Sequence, residues 1–223
     1  MKYKIKKWMW MFILSAMMLQ VLYSCKRQMF PYSKAKKKQL TFWKKTLGEG
    51  KTQVKTYWVD LADKKWDWFK KYYNTELSDK DVPSMNLVPI PIYTIDSVSL
   101  YGAKTKSSII QSMALDTNNA LYLVQKDSTF VAAVYSTYQS NQWQNGGGYS
   151  GIFTSVAQKF SSLYSSGISF YSIDVYPYSK SRDHLSFNVY DNGKDLISIK
   201  ANGKEVLFVD ELSKLKQDIA KYR

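Results

Sequence analysis

One histidine and one cysteine occur in the 223 residues, so the chemistry open to this chain is narrow. His184 closes the polar stretch Tyr178-Ser179-Lys180-Ser181-Arg182-Asp183-His184. A Ser–His–Asp arrangement would need this imidazole. No G-x-S-x-G elbow accompanies it, and Gly148-Tyr149-Ser150-Gly151 has the wrong spacing. His184 therefore reads as a surface-turn residue. The acids are scattered, with Asp79/Asp81 and Asp210/Glu211 as the closest pairs. Asp79-Lys80-Asp81 begins like a calcium loop but lacks the Gly and Glu that complete one. A zinc site needs more His and Cys than this chain holds. Gly146-Gly147-Gly148 could hold an anion ahead of a helix. No P-loop lysine follows, and a strand-to-helix hinge is the simpler reading. No catalytic residue, metal site or cofactor is assigned, and a non-catalytic protein is expected.

The best ligand-binding candidates are aromatic. Tyr138, Trp143 and Tyr149 lie among Ser, Gln, Asn and Gly in a segment that reads as a loop from Gln139 to Ser150. Such mixtures combine flat apolar faces with adaptable hydrogen bonds. Exposed rings there would suit a glycan or a protein partner. Rings packed under their own loop would suit neither.

The cysteine has a more telling setting. Met1 to Lys7 is basic and free of acids, and an apolar run follows from Trp8 to Leu22. That run is short for a membrane span of about 20 residues, and the layout is that of a secretory signal. It ends in Leu22-Tyr23-Ser24-Cys25. This resembles the lipobox of bacterial lipoproteins, with an aliphatic residue three before the cysteine and a small one directly before it. Tyr23 is bulkier than the residue usual at its place. The resemblance implies a diacylglyceryl group on the Cys25 thiol, cleavage before Cys25, and a site in a Gram-negative cell envelope. Lys26, where an inner-membrane retention signal would have Asp, points to the outer membrane.

The charge agrees with attachment. The formal net charge is +14, from 32 Lys and Arg against 18 Asp and Glu. Residues 1–24 carry four lysines and no acid, and residues 26–45 carry eight basic residues and no acid. Residues 46–223 hold 20 basic and 18 acidic residues, so the body is almost neutral. A polybasic stretch beside a lipid is drawn to anionic headgroups. On helical spacing Leu40, Trp43 and Leu47 share a narrow face with Lys37 and Lys44 beside it, as a surface-lying helix would. A flexible tether with incidental lysines is the other reading. An exported chain without a recognition motif is not expected to bind nucleic acid.

The elements that position these residues follow from periodicity. Ser33 to Leu47 reads as a helix closed by Gly48-Glu49-Gly50. Leu61 to Tyr73 reads as a helix with an aromatic face. Leu77 to Pro91 reads as a connector because of Pro83, Pro89 and Pro91. Ile92 to Tyr101 reads as a strand, and Lys104 to Leu115 is open between helix and strand. Ala120–Gln125 and Phe130–Tyr138 form a hairpin pattern. Ile152 to Tyr164 is a helix with Val156, Phe160 and Leu163 inward, Ser150 as its cap and Gly167 at its end. Ile168–Tyr176 is a strand. Asn192-Gly193 and Asn202-Gly203 suit type I′ turns dividing Leu185–Tyr190, Asp195–Lys200 and Lys204–Phe208 into a three-strand meander. A last helix starts near Asp210. The expected organisation is a signal over 1–24, a basic tether over 25–49, and one α+β domain over 50–223. Its antiparallel sheet carries helices on one face. The expected function is an envelope lipoprotein that binds a protein partner. The rival is a glycan binder using the Trp143 segment.

Overall fold

The computed structural model describes residues 41–51, 80–81, 84–151, 154–168, 170–176 and 185–221. They all belong to the unit Tyr32–Arg223. The strands are β1 (Asn86–Asp96), β2 (Ala114–Lys126), β3 (Thr129–Gln139), β4 (Gln142–Gly151), β5 (Phe170–Tyr176), β6 (Leu185–Asp191), β7 (Leu196–Ile199) and β8 (Glu205–Leu207). The helices are α1 (41–51), α2 (Ser97–Gly102), α3 (Lys106–Ser112), α4 (Thr154–Ser165) and α5 (Phe208–Lys221). Cys25 with its lipobox, the basic residues up to Lys38, the helix expected at Leu61–Tyr73, Asp79 and His184 lie outside the described residues.

All eight strands join one sheet in the order β4-β3-β2-β1-β5-β6-β7-β8. Every pairing is antiparallel except β1 with β5. The fold is therefore α+β, two meanders joined back to back through a parallel seam, with the expected C-terminal meander as β5 to β8. A parallel neighbour needs a crossover, and here the crossover consists of α2, α3, β2, β3, β4 and α4.

The connector expected up to Pro91 ends earlier, because β1 already starts at Asn86. Proline removes a ladder donor. Pro89 and Pro91 have the same parity, so both missing donors fall on one side of the strand. The β5 ladder starts only at Ile92, beyond both prolines. A register shift between Pro91 and Tyr93 then re-aims the strand.

Two-residue turns make both hairpins of the first meander. Asp127 and Ser128 have φ 47° and 69°, and Ser140 and Asn141 have φ 51° and 61°. Positive φ at both positions matches the right-handed strand twist. Neither Asn-Gly pair sits at the centre of the expected two-residue turn, because the first loop closes across Gly193-Lys194 and the second across three residues, 201–203. Asn192 N–H donates to the Asp195 carbonyl, and Lys200 N–H to the Lys204 carbonyl. Only Gly193 and Gly203 take positive φ there. The asparagine oxygens instead accept from the amides of Lys194, Asp195 and Lys204, an Asx turn that keeps Asn in an ordinary conformation.

Strand alternation gives the sheet two faces. On the back, Leu87, Ala120, Tyr122, Val124, Ala132, Val134 and Trp143 pack with Trp43 and Leu47 of α1. Trp43 is 2% exposed and Leu47 0%. Trp43 and Leu47 of the stripe expected to lie on a membrane surface are thus part of the core, and α1 packs with the body, while Leu40 lies outside the described residues. Tyr122 Oη donates to the Leu47 carbonyl at 3.0 Å. The helix also continues past its expected glycine stop to residue 51. A Cβ on Gly50 would sit 2.5 Å from Tyr122 Oη and 2.6 Å from the Trp143 ring. That glycine serves close approach to the sheet, not termination.

The back of the second meander is covered by α2, α3 and α5. Phe208 meets Phe187 edge-on at 5.3 Å. Lys216 Nζ donates to the Ala103 carbonyl, and Lys106 pairs with Asp191. Asp96 caps α2 by accepting from Val98 N and Ser99 N, both at 2.8 Å. The remaining helix, α4, takes the front face instead. Phe160 stacks on Phe170 at 4.7 Å, and Val156, Phe160 and Leu163 are buried as their spacing requires. Gly167, at φ 69°, ends α4, with the Ile168 amide bonded to the Leu163 carbonyl.

Candidate functional site

The front face changes character along the sheet. On β1, β2 and β3 of the first meander it offers Ile92, Leu121, Leu123 and Ala133. On β5 and β6 it offers Ser172, Asp174, Ser186 and Asn188. Antiparallel register sets Ser172 opposite Asn188 and Asp174 opposite Ser186, so the four polar side chains form a two-by-two block. A cleft of about 780 Å³ lies over the junction of apolar and polar floor. That volume is in the range of small-ligand sites.

Two helices wall the cleft. Val156 and Phe160 of α4 stand on one side. On the other side the β6–β7 ladder begins only at Asn188 and Ile199, while β5–β6 pairing continues to Leu185. The lining includes Ser198 and Phe187 of the back face as well as Asn188. The cleft therefore passes round the end of β7 and reaches α5, where Glu211, Lys214 and Asp218 line it. Latching α4 near this opening, Lys159 pairs with Glu205 at 2.8 Å, and Tyr190 Oη donates to the same carboxylate.

Several polar groups in the lining are buried: Ser172, Asp174, Ser198 and Glu211. Ser172 Oγ donates to Asp174 Oδ1 at 3.4 Å. Burial pushes the Tyr135 phenol well above its ordinary pKa, and the charge of Asp174, with Tyr176 and Asp116, raises it further. Tyr135 is thus a protonated donor at neutral pH. Glu211 pairs with Lys200. Burial lowers the Lys200 pKa and Lys214 adds to the effect, although the Glu211 carboxylate lies alongside.

The aromatic trio expected to form a loop site is arranged differently. Gln142 to Gly151 is strand β4, and Trp143 is 3% exposed against the α1 cluster. Tyr138 is half-buried and packs on Trp143 at 5.3 Å. Tyr149 stands opposite Val134 in the same strand pair. Trp143 cannot offer its face to a sugar without leaving the core, so the coplanar exposed set is not formed. The cause is the Ser140-Asn141 turn, which folds a polar, glycine-rich segment back as an edge strand. Gly146 to Gly148 lie inside that strand instead of a hinge, and Ser150 is a strand residue, not a helix cap. Asp81 pairs with Lys126 at 3.0 Å. Among the described residues no group of three His, Cys, Asp or Glu is placed to hold a metal ion.

The cleft residues did not stand out among the candidates. The signal was present as two i, i+2 pairs, Ser172/Asp174 and Ser186/Asn188, in otherwise apolar strands. Such pairs read as a solvated face until the register shows them adjacent and a helix and an opposing apolar floor enclose them. No family model, curated protein or solved structure matches the chain.

Proposed function

We propose that the chain is a cell-envelope lipoprotein, held at the membrane by a lipid on Cys25. In this reading its body is a non-catalytic binding module that engages its partner through the front cleft. The anchor rests on Cys25 as the sole cysteine, placed at the end of the apolar run. The binding role rests on one observation, the cleft with its half-apolar, half-polar floor. A serine hydroxyl bonded straight to a carboxylate, as Ser172 is to Asp174, makes a hydrogen-bonding surface. Activation of a serine calls for a base that can take and return its proton. The surface of α1 supports attachment nearby. With Trp43 and Leu47 turned inward, Lys44 and Lys45 face outward beside Phe42, which is 63% exposed. An apolar ring among lysines suits a headgroup surface.

Two measurements test this reading. Intact mass of membrane-extracted protein should show a chain that begins at an acylated Cys25. A chain starting at Met1 with a free thiol defeats the anchor. A photo-crosslinker replacing the exposed cleft residue Ser186 should capture an envelope partner or ligand that one replacing Glu49 on α1 does not. Equal capture at both positions defeats the cleft as the binding site.

A further inference from the structure

We propose that the outer face of α1 rests on an anionic bilayer surface, so that the sheet turns its back to the membrane and the front cleft opens away from it. The inference rests on the anchor reading and adds an orientation to it. Alternation on β2 sets the two directions. Tyr122 packs into the α1 cluster, and its neighbours Leu121 and Leu123 floor the cleft. Successive side chains of a strand leave by opposite faces, so α1 and the cleft lie on opposite sides of the same strand. Trp43, Leu47 and Gly50 are buried against the back. The far side of α1 is therefore directed away from the cleft.

That far side has the composition of a headgroup contact. On helical spacing Phe42, Lys44, Lys45 and Gly48 share the exposed side, and Phe42 is 63% exposed. Glu49 is the one acid of α1, against three lysines. The run that enters the helix adds to this, since residues 26–45 carry eight basic residues and no acid. Val98, the other strongly exposed apolar side chain at 80%, stands on α2, a helix of the same side of the sheet. Range separates the two faces as well. A helix with its side chains is about 10 Å across, and a headgroup field fades over a Debye length of about 8 Å. With α1 on the surface, Lys44 and Lys45 lie inside that field, and the cleft lies beyond the helix and the sheet. A partner then reaches the cleft from the aqueous side.

Fluorescence quenching on the anchored full chain tests this. Acylation uses the Cys25 thiol, so an introduced cysteine is the only one free to take a dye. Gly48→Cys places it on the outer face of α1, where an added Cβ meets no atom within 4 Å. Ser186→Cys places it in the cleft. Each labelled chain is reconstituted in vesicles of equimolar phosphatidylcholine and phosphatidylglycerol with a nitroxide quencher on the headgroups. The dye at position 48 should be quenched and the dye at 186 should not. Lys44→Gln with Lys45→Gln should weaken the contact by about twentyfold, at about fivefold per lysine, and relieve the quenching at an unchanged unfolding midpoint. Equal quenching at both positions, or more at 186, overturns the orientation. Quenching at 48 that survives the lysine changes overturns the electrostatic contact. Quenching at neither position, with Cys25 acylated by intact mass, overturns the α1 contact and leaves the anchor standing; a protein partner covering α1 would give this result. A free Cys25 thiol defeats the anchor and the orientation with it.

Discussion

The two meanders share a plan, four strands in sequence order followed by a helix, with α2 and α3 inserted after β1 in the first, and they use it differently. The strands β1 to β4 are long, 10 to 13 residues each. Their back is closed by α1 in a contact so tight that Gly50 has no room for a methyl group. The strands β5 to β8 shorten from seven residues to three, and their front carries Ser172, Asp174, Ser186 and Asn188. The lesson is a division of labour within a single sheet. The first half spends its back face on packing and lends the cleft its apolar floor. The second half is shorter and leaves a notch at the end of β7, and the cleft runs through that notch.

If the division is real, damage to the first meander should appear as lost stability and damage to the second as lost binding. The largest effect is expected at the α1 contact. Trp43→Ala should cost about 3–5 kcal/mol by urea unfolding. A loss below about 1 kcal/mol would show that α1 is dispensable to the body. Next comes Tyr122→Phe, which leaves the ring in place but removes the donor to the Leu47 carbonyl. About 1 kcal/mol is expected from the same measurement, with no change in ligand contact by NMR. In the second meander, Ser186→Ala should change the unfolding free energy by less than about 0.5 kcal/mol while reducing capture or ligand signal in the cleft. A large loss of stability there would merge the two halves into one structural role.

A small, pH-dependent effect is expected from acid. Burial raises the Glu205 pKa, but the bonds from Lys159 and Tyr190 outweigh it and hold the carboxylate below its ordinary value. A depressed acid stabilises the fold above its unfolded pKa, and that contribution fades as pH falls through the folded value. Glu205→Gln should therefore flatten the stability profile in acid by no more than about 1 kcal/mol, as for exposed pairs. A profile identical to that of the unaltered chain down to pH 2, by thermal unfolding, would show the latch to be idle.

Much of the fold could be read from periodicity alone. Phe160 and Leu163 announced the inner face of α4, the β2–β3 hairpin lay in two apolar runs, and alternation at Leu185, Phe187 and Val189 marked β6. What periodicity could not supply was the identity of the covering surface. Trp43 and Leu47 were rightly placed on one stripe, but a stripe is equally apolar against lipid or against Tyr122. β4 escaped because its Gln, Asn and Gly residues hide alternation, and its turn uses Ser140-Asn141 in place of Asn-Gly. The cleft needed more still. Its floor joins β2 to β6 across a parallel seam, and pairing between strands so distant in the chain leaves no local trace.

The clamp of α1 also has a mechanical side. On the proposed attachment, residues 26–40 join the anchored Cys25 to α1, a reach of about 50 Å when fully extended. Any pull on the anchored protein, from flow or from a partner held in the cleft, would enter the body at the first turn of α1. Load applied there meets Trp43 first, then Leu47 with its bond from Tyr122, and last the seat of Gly50. The helix would have to peel from the sheet one contact at a time for the leash to come free of the body. The tightest packing would thus lie at the hinge of the leash.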